Sequence, residues 1–440
     1  MEGNTIGAPS VALLGLDGFV VLSAVEVAGE VEVLVETTES VTGCPRCGVV
    51  AEPHGRRPVT VRDLPIAGRP SVLVWAKRLW RCQEPLCQQR TWSETHPAIR
   101  SRAVLTERAR AWAMRRVGAH AETVASVARQ LGVGWHTVMR AVREHGEPLV
   151  DDPARLEPVT ALGVDEHVWA HVGPRRRRTG FATGIVDLTA GRPPRLLDVV
   201  EGRTGTVYAD WLTERGDDWR ERIRVAALDP FRGYATALAT ALPDAVRVLD
   251  AFHVVKLGND VVDQVRRRVQ QETLGHRGYK DDPLYRVRRL LRRGAETLST
   301  KARARLDAAL QAGDPDWEVT VAWACAQQLR AVYHAPTPDE GRRRAIQLLG
   351  SLADCPIPEV ARLGRTLRAW RTEFLAYFDT GGASNGPTEA INLLIEKHRR
   401  DAHGFRNFSN YRLRLLLACG LNWQTERAAR IRTRHPRLVA

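Results

Sequence analysis

With 440 residues, 44% of them hydrophobic, the chain is long enough for two or three domains with sizeable cores. Lys and Arg outnumber Asp and Glu by 65 to 51, a formal charge of +14 that favours a polyanionic partner such as nucleic acid; an Arg-rich proteome is the bland alternative. No run of 18 uncharged apolar residues occurs and the start lacks the charged-then-apolar pattern of a leader, so the expectation is a cytoplasmic chain with no membrane span.

In chain order, residues 11 to 41 alternate apolar and polar positions, which predicts two strands joined by a turn at Ala28-Gly29. Next come CPRCG and, 34 residues after its second Cys, CQEPLC, with strand-like RPVTVRDLP and PSVLVWAKRLWRC between them. Cys-x2-Cys curls two sulfurs toward one centre, so Cys44, Cys47, Cys82 and Cys87 read as a tetrahedral Zn²⁺ site, a zinc ribbon. The second pair is spaced by four residues, and His54 and His96 compete as ligands. Cys325, Cys355 and Cys419 are scattered and read as small core residues.

Residues 103 to 146 turn helical, opening at a Thr106 cap. Val124, Val127 and Ala128 form an apolar face, Gly132 permits a turn, and Val138, Ala141 and Val142 seat the next helix. That is helix-turn-helix spacing, and the second helix presents Trp135, His136, Thr137, Arg140 and Arg143 for a major groove. Plain packing of two amphipathic helices is the alternative.

Beyond the linker EPLVDDPARLEP the pattern predicts three consecutive strands, then helix, strand, helix, strand, the β-β-β-α-β-α-β order of a ribonuclease-H-like sheet. From Val254 to Phe378 only helical, Arg-rich segments follow. The expected fold is therefore multidomain α+β. Its parts are an N-terminal β region with the zinc ribbon (1–98), a helix-turn-helix domain (99–150), a ribonuclease-H-like core (151–260), an all-helical insertion (261–380) and the core's C-terminal helices with a basic tail (381–440). In the stretch from Ala390 to Ala440, 11 Lys or Arg stand against 3 acids, which makes this the natural place for phosphate contacts.

Three acids stand out by position. Asp165 closes the strand ALGVD, Asp229 closes RVAALD, and Glu389 opens a helix after Asn-Gly-Pro. In the expected sheet order the first and fourth strands are neighbours, so the two aspartates meet at adjacent strand ends, and a glutamate from a helix across the sheet completes an oxygen cage for Mg²⁺. Two such ions activate a water or a 3′-hydroxyl against a phosphodiester without a side-chain nucleophile. Singly, each acid reads equally as a turn residue or helix-dipole partner. Asp250 and His253 add a second acid and a His at the next strand end, the His either orienting a carboxylate or sitting satisfied in the core.

The motifs CPRCG with CQEPLC, LGVDEHVW, ALDPFRGY, LDAFHVVKL, and NGPTEAIN followed by HRRDAHGFRNFSNYRLR lie in order from residue 44 to 417. On these the chain resembles the ISL-three family of bacterial insertion-sequence transposases. The resemblance implies an Asp-Asp-Glu triad at Asp165, Asp229 and Glu389; Asp250, His253 and Asn385 are read beside it as supporting residues. It further implies Mg²⁺ or Mn²⁺ as cofactor beside Zn²⁺, and cutting at terminal inverted repeats with joining of the 3′ end to target DNA. Double-stranded DNA is then the partner, engaged by a homodimer in the bacterial nucleoid, with Lys397, Arg399, Arg400 and Arg406 as further DNA contacts. Where family members often carry a Lys seven residues after the Glu, this chain has Glu396, on the same helix face as Glu389. A transposase-derived DNA-binding regulator and a ribonuclease-H-like nuclease acting on RNA or branched DNA are the alternatives.

Overall fold

A computed structural model describes residues 15–172 and 178–423; the first residues of the expected N-terminal strand (11–14) and most of the basic tail (424–440) lie outside the described residues. By its internal contacts the chain divides into two compact units, Met1–Arg155 with Ser409–Ala440, and Leu156–Phe408.

In the first unit, β1 (Phe19–Val27) and β2 (Glu30–Thr37) are antiparallel and turn through Ala28 and Gly29, both at positive φ. The longer pair β3 (Glu52–Ile66) and β4 (Arg69–Arg81) turns through Ala67 and Gly68, again both at positive φ. Two consecutive left-handed residues match the twist of the flanking strands, which is why such short loops close hairpins. The sheet runs β1-β2-β4-β3, with the three-residue β5 (Thr91–Ser93) on β4. One face buries Phe19, Val33, Val61 and Trp75, Phe19 meeting Trp75 edge-on with ring centroids 5.9 Å apart.

Three helices follow, α1 (Glu107–Gly118), α2 (Val124–Leu131) and α3 (Trp135–Val150). Thr106 caps α1 by accepting the Ala109 amide at 3.2 Å, and its hydroxyl donates to Asp63 of β3 at 2.6 Å. Asp63 is fully buried and also accepts from Arg108 Nε at 2.9 Å, so one paired carboxylate fastens the helical segment to the sheet. Gly132 ends α2 at φ 62, and Val127, Leu131, Val138, Ala141 and Val142 are sealed between α2 and α3. The terminal helix Phe408–Leu415 leads into a π-turn, Leu416–Gly420, whose Leu417 packs against Gly118 and Gly146. The last segment thus packs with the helix-turn-helix unit, where the sequence expectation had kept 381–440 together; the decisive contacts are between residues some 270 apart in sequence and leave no local signature.

In the second unit β6 (Ala161–Val172), β7 (Arg178–Asp187) and β8 (Arg195–Glu201) form an antiparallel meander. After α4 (Gly205–Thr213) and the single turn α5 (Asp217–Arg220) comes β9 (Val225–Leu228), then α6 (Arg232–Ala241) and β10 (Val246–Leu249). β9 lies parallel to β6, and β10 parallel to β9, giving the order β10-β9-β6-β7-β8. The two added strands are four residues long and almost wholly apolar, as befits strands covered on both faces.

All remaining described elements of this unit are helices: α7 (Ala251–Leu274), α8 (Pro283–Val287), α9 (Thr300–Gly313), α10 (Glu318–Val332), α11 (Pro338–Ala353), α12 (Pro358–Ala369), α13 (Arg371–Asp379) and α14 (Gly386–Asp401). α7 runs unbroken through residue 260, so the boundary expected there falls inside a helix. One continuous apolar core joins Val164, Leu228 and Leu249 of the sheet to Val262, Trp323, Leu367 and Phe374 of the helices. The helices are therefore anchored on the sheet's own core.

Candidate active site and zinc centre

Register places the acids. Val164 of β6 pairs with Leu228 of β9, and Leu228 with Leu249 of β10, so the next residues, Asp165, Asp229 and Asp250, leave three parallel strands at one level. Asp165 does not close its strand, as the sequence suggested: β6 continues to Val172 because β7 keeps pairing with it after β9 has stopped. What ends at Asp165 is the parallel partner, and there the sheet opens into a crevice.

Around this level the side chains interlock. His253 stands one turn into α7, its Nε2 3.0 Å from Asp229 Oδ2 and 3.8 Å from Glu389 Oε1, its Nδ1 3.0 Å from Asp250 Oδ2. Asp250 caps α7 by accepting the His253 amide at 3.0 Å and also accepts the Asn385 amide at 2.8 Å. The Asn385 side chain, fully buried, donates to the Val164 carbonyl at 3.0 Å and to Asp229 Oδ1 at 3.2 Å. Burial opposes a charge on His253, yet the hydrogen bonds to Asp229 and Asp250 prevail and push its pKa up to about 10, which favours the imidazolium. Burial likewise works against ionised Asp250, but the His253 ring and two backbone amides hold its carboxyl below the usual range.

Asp165 shows the opposite balance. Burial, then the negative charges of Asp229 and Glu389, push its pKa up to about 8. Glu166 is raised as well, by burial and by Asp229. The crevice therefore holds more carboxylate than its single imidazolium neutralises, and its donors are hard oxygens, the set a divalent cation such as Mg²⁺ takes. Asp229, Asp250 and His253 bring one ligand atom each within 4.8 Å of one another. Asp250 is committed to its cap, Asp165 and Asp229 are buried beside it, and Glu389 is half-exposed.

Sequence reasoning missed Asn392, whose Nδ2 donates to Asp165 Oδ2 at 2.5 Å. The signal was available: Asn385, Glu389, Asn392 and Glu396 recur at four-, three- and four-residue steps along one face of α14. It also missed Gly163. A methyl group there would collide with the Thr388 hydroxyl and lie 2.6 Å from Asn385 Oδ1, so the N-terminal turn of α14 rests on the bare backbone of β6. Gly163→Ala is expected to shift that turn and to cost about 1–3 kcal/mol in stability from overpacking, which thermal melts measure.

In the first unit the four cysteines of CPRCG and CQEPLC converge, Cys44 Sγ 3.8 Å from Cys87 Sγ and Cys47 Sγ 3.5 Å from Cys82 Sγ. Together they could hold one metal ion, all four sulfurs lying within 4.8 Å, the donor set of a structural Zn²⁺ site. Burial raises the Cys44 thiol, but the knuckle amides of Cys47 and Arg46 outweigh it and bring its pKa down to about 7. The competing histidines are elsewhere: His54 meets the Arg81 guanidinium at 3.1 Å, and His96 lies against Phe19 with ring centroids 4.4 Å apart and planes tilted by 57° while accepting from the Ala98 amide.

On α3, Trp135, His136, Arg140 and Arg143 are exposed and Thr137 half-buried, with Arg143 donating to Asn410 Oδ1 at 2.6 and 3.1 Å. At the end of α14, Lys397 and Arg400 are exposed and Arg399 half-buried; Arg406 beyond the helix is exposed. Arg399 and Arg400 both bond Glu396, at 2.8 and 2.7 Å, and these bonds draw its pKa down to about 2 although burial opposes them.

A nucleic-acid-reading helix pair, a four-cysteine ribbon and an acid crevice at a sheet's carboxyl edge are the parts of a DNA-binding transposase. Comparison with known proteins agrees, and the chain belongs to the ISL3 transposase family. A family model described as "Transposase" matches residues 162–415, more than half of the chain. The "Helix-turn-helix domain of transposase family ISL3" matches residues 94–146 and the "zinc-finger of transposase IS204/IS1001/IS1096/IS1165" residues 40–87. The transposase for insertion sequence element IS1001 of Bordetella parapertussis is 26% identical over 395 residues, 88% of this chain and 91% of that protein. The transposase for insertion sequence element IS1557 of Mycobacterium tuberculosis (strain CDC 1551 / Oshkosh) is 24% identical over 302 residues, 64% of this chain and 65% of that protein.

Proposed function

We propose that the chain cuts DNA at the terminal inverted repeats of an insertion sequence and joins the freed 3′ end to target DNA, at a site made by Asp165, Asp229 and Glu389 in a ribonuclease-H-like sheet. The observation that carries this reading is the common level of Asp165 and Asp229 beside a helix that brings Glu389 within 3.8 Å of the same imidazole. The three carboxylates would hold Mg²⁺ or Mn²⁺, which when bound activates a water or 3′-hydroxyl and stabilises the leaving oxygen. The other side chains orient. Asn392 fixes the rotamer of Asp165, Asn385 ties Asp229 to the β6 carbonyl, and Asp250 aims the His253 Nε2 proton at Asp229. Incubating the full chain with an end-bearing duplex in Mg²⁺, Mn²⁺ or chelator tests the reading; cleavage unaffected by chelator would end it.

The domains follow the same division of labour: ribbon (1–98) and helix-turn-helix (99–150) for end recognition, core segments (151–274, ending with α7, and 381–408) for chemistry, and the helices of 275–380 as an insertion between them. On α3, Trp135, His136, Thr137, Arg140 and Arg143 are the candidate base and phosphate readers, and pairing of two ends argues for a homodimer on DNA. Lys397, Arg399, Arg400 and Arg406 are candidate phosphate contacts next to the acids.

Glu396 stands where family members often carry a Lys. Its ion pairs with Arg399 and Arg400 give it a different role, that of setting both guanidinium groups. Glu396→Gln is expected to free them for phosphate, tightening DNA binding about two- to fivefold, in line with the roughly 0.2–1 kcal/mol scale of exposed pairs. The same variant steepens the log–log salt slope by about 0.9 for each added contact. Fluorescence anisotropy at several salt concentrations reads both.

A further inference from the structure

The helical part of the second unit carries a cleft that no acid–metal chemistry uses. Arg266, Arg267, Arg277, Arg288, Arg289 and Arg292 line a cavity of about 350 Å³ between α7, α8 and the segments flanking α8. Its one carboxylate, Asp263, is shared by Arg266 and Arg267, both at 2.7 Å. Arg292 leans out to Asp260 at 2.8 Å. Among the described residues no carboxylate lies within 4 Å of Arg277, Arg288 or Arg289. The contrast on the same helix is Arg268, gripped by Glu318 and Glu359 at 2.8 Å and by Glu272 at 3.2 Å. Positive charge is thus outweighed by carboxylates around Arg268, while on the side of α7 that carries Arg266 and Arg267 the one carboxylate, Asp263, leaves an excess of cations.

The cleft is also built. Arg288 stacks on the Tyr285 ring at 3.9 Å and donates to the Tyr285 carbonyl at 2.8 Å, which fixes the plane of its guanidinium. Arg266 is buried, held by Asp263 and Gln270 with its guanidinium 5.8 Å from the same ring. Rigid, planar donors in excess over acceptors are suited to bidentate capture of phosphate oxygens. The open cleft leaves exposed Arg277 and Arg289 at its mouth.

We propose that this cleft is a second DNA-binding site, which takes the backbone phosphates of a duplex engaged by the catalytic unit and reads no base sequence. It rests on the reading of the chain as a DNA-acting transposase but on none of its catalytic residues. A chain that must hold both an element end and a target needs phosphate contacts away from the scissile bond, and backbone contacts of this kind position without specifying.

The test uses the full chain, with an end-bearing duplex and a scrambled duplex titrated at several salt concentrations. Arg277→Glu/Arg289→Glu, with an unchanged Tm, is expected to weaken binding of both duplexes about tenfold, keep their affinity ratio, and flatten the log–log salt slope by about 2. The milder Arg277→Gln/Arg289→Gln gives a smaller loss in the same direction should the reversal disturb folding. Arg224→Glu, at the end of β9 away from Asp229, is set against Arg277→Glu alone so that the charge change is the same in both; it controls for net charge and is expected to leave both quantities nearly unmoved. Equal loss in that control, or unchanged slope and affinity in both cleft variants, would overturn the proposal. So would saturation by inorganic phosphate alone with duplex affinity unaffected by the variants. Cleavage by Asp165 or Asp229 variants is a separate readout, so failure of the catalytic assignment and failure of the cleft are told apart.

Discussion

Asp229→Asn will reduce metal-dependent end cleavage by roughly 10³-fold or more, the scale on which loss of one member of a catalytic constellation is felt, while end binding stays equal or tightens slightly. The substitution keeps the shape of the side chain and one acceptor for Asn385 at 3.2 Å, so the crevice should not collapse. It removes one charge from a site where burial, and after it the opposing charges of Asp229 and Glu389, lift Asp165 to about 8. Fewer charges mean weaker cation affinity and, with less repulsion of phosphate, no penalty for DNA binding. Asp165→Asn is expected to behave alike, the new amide oxygen still accepting from Asn392. Electrophoretic mobility shift and single-turnover cleavage on the same preparations separate binding from chemistry; either variant cutting within tenfold of wild type would remove that residue from the site.

Loss of zinc has the second large effect. Cys44, Cys82 and Cys87 are buried in a cluster whose only other apolar neighbour among the described residues is Trp92. So small a core cannot offset the entropy of ordering the two knuckles, and structural Zn²⁺ contributes about 10–16 kcal/mol in comparable peptides. Cys47→Ser, or strong chelation, is expected to abolish the one equivalent of bound zinc and to open residues 40–93 to proteolysis. The sheet unit, 156–408, has its own core and should keep its helical signal. End recognition should fall at least about tenfold, a loss of roughly 1.4 kcal/mol. Unchanged recognition after zinc loss would deny the ribbon a DNA-reading role and leave the helix-turn-helix as the reader.

Those two experiments bear on features of different origin. The cysteine knuckles were legible because Cys-x2-Cys closes its geometry within four residues. Thr106 was legible as a helix cap for the same reason, and the apolar stripes of α2 and α3 because helical period needs only a window of the chain. The three-strand meander and the alternation that follows could be read from local pattern, and with them the neighbourhood of Asp165 and Asp229. Glu389 was located through a motif, its carboxylate 160 residues beyond Asp229 with nothing in the intervening helices to announce the approach.

The tertiary structure alone decided the rest. It showed that Asp165 lies mid-strand, that Asp250 caps α7 and anchors Asn385, that Asn392 steadies Asp165, that Gly163 must lack a side chain, and that the segment from Ser409 packs with the first unit. Each of these depends on which distant backbone comes to lie against which, a matter of strand register and helix docking. Residues and spacing determined which elements form and which chemistry they can carry. The long-range fit between elements, settled only by packing, determined where that chemistry is aimed.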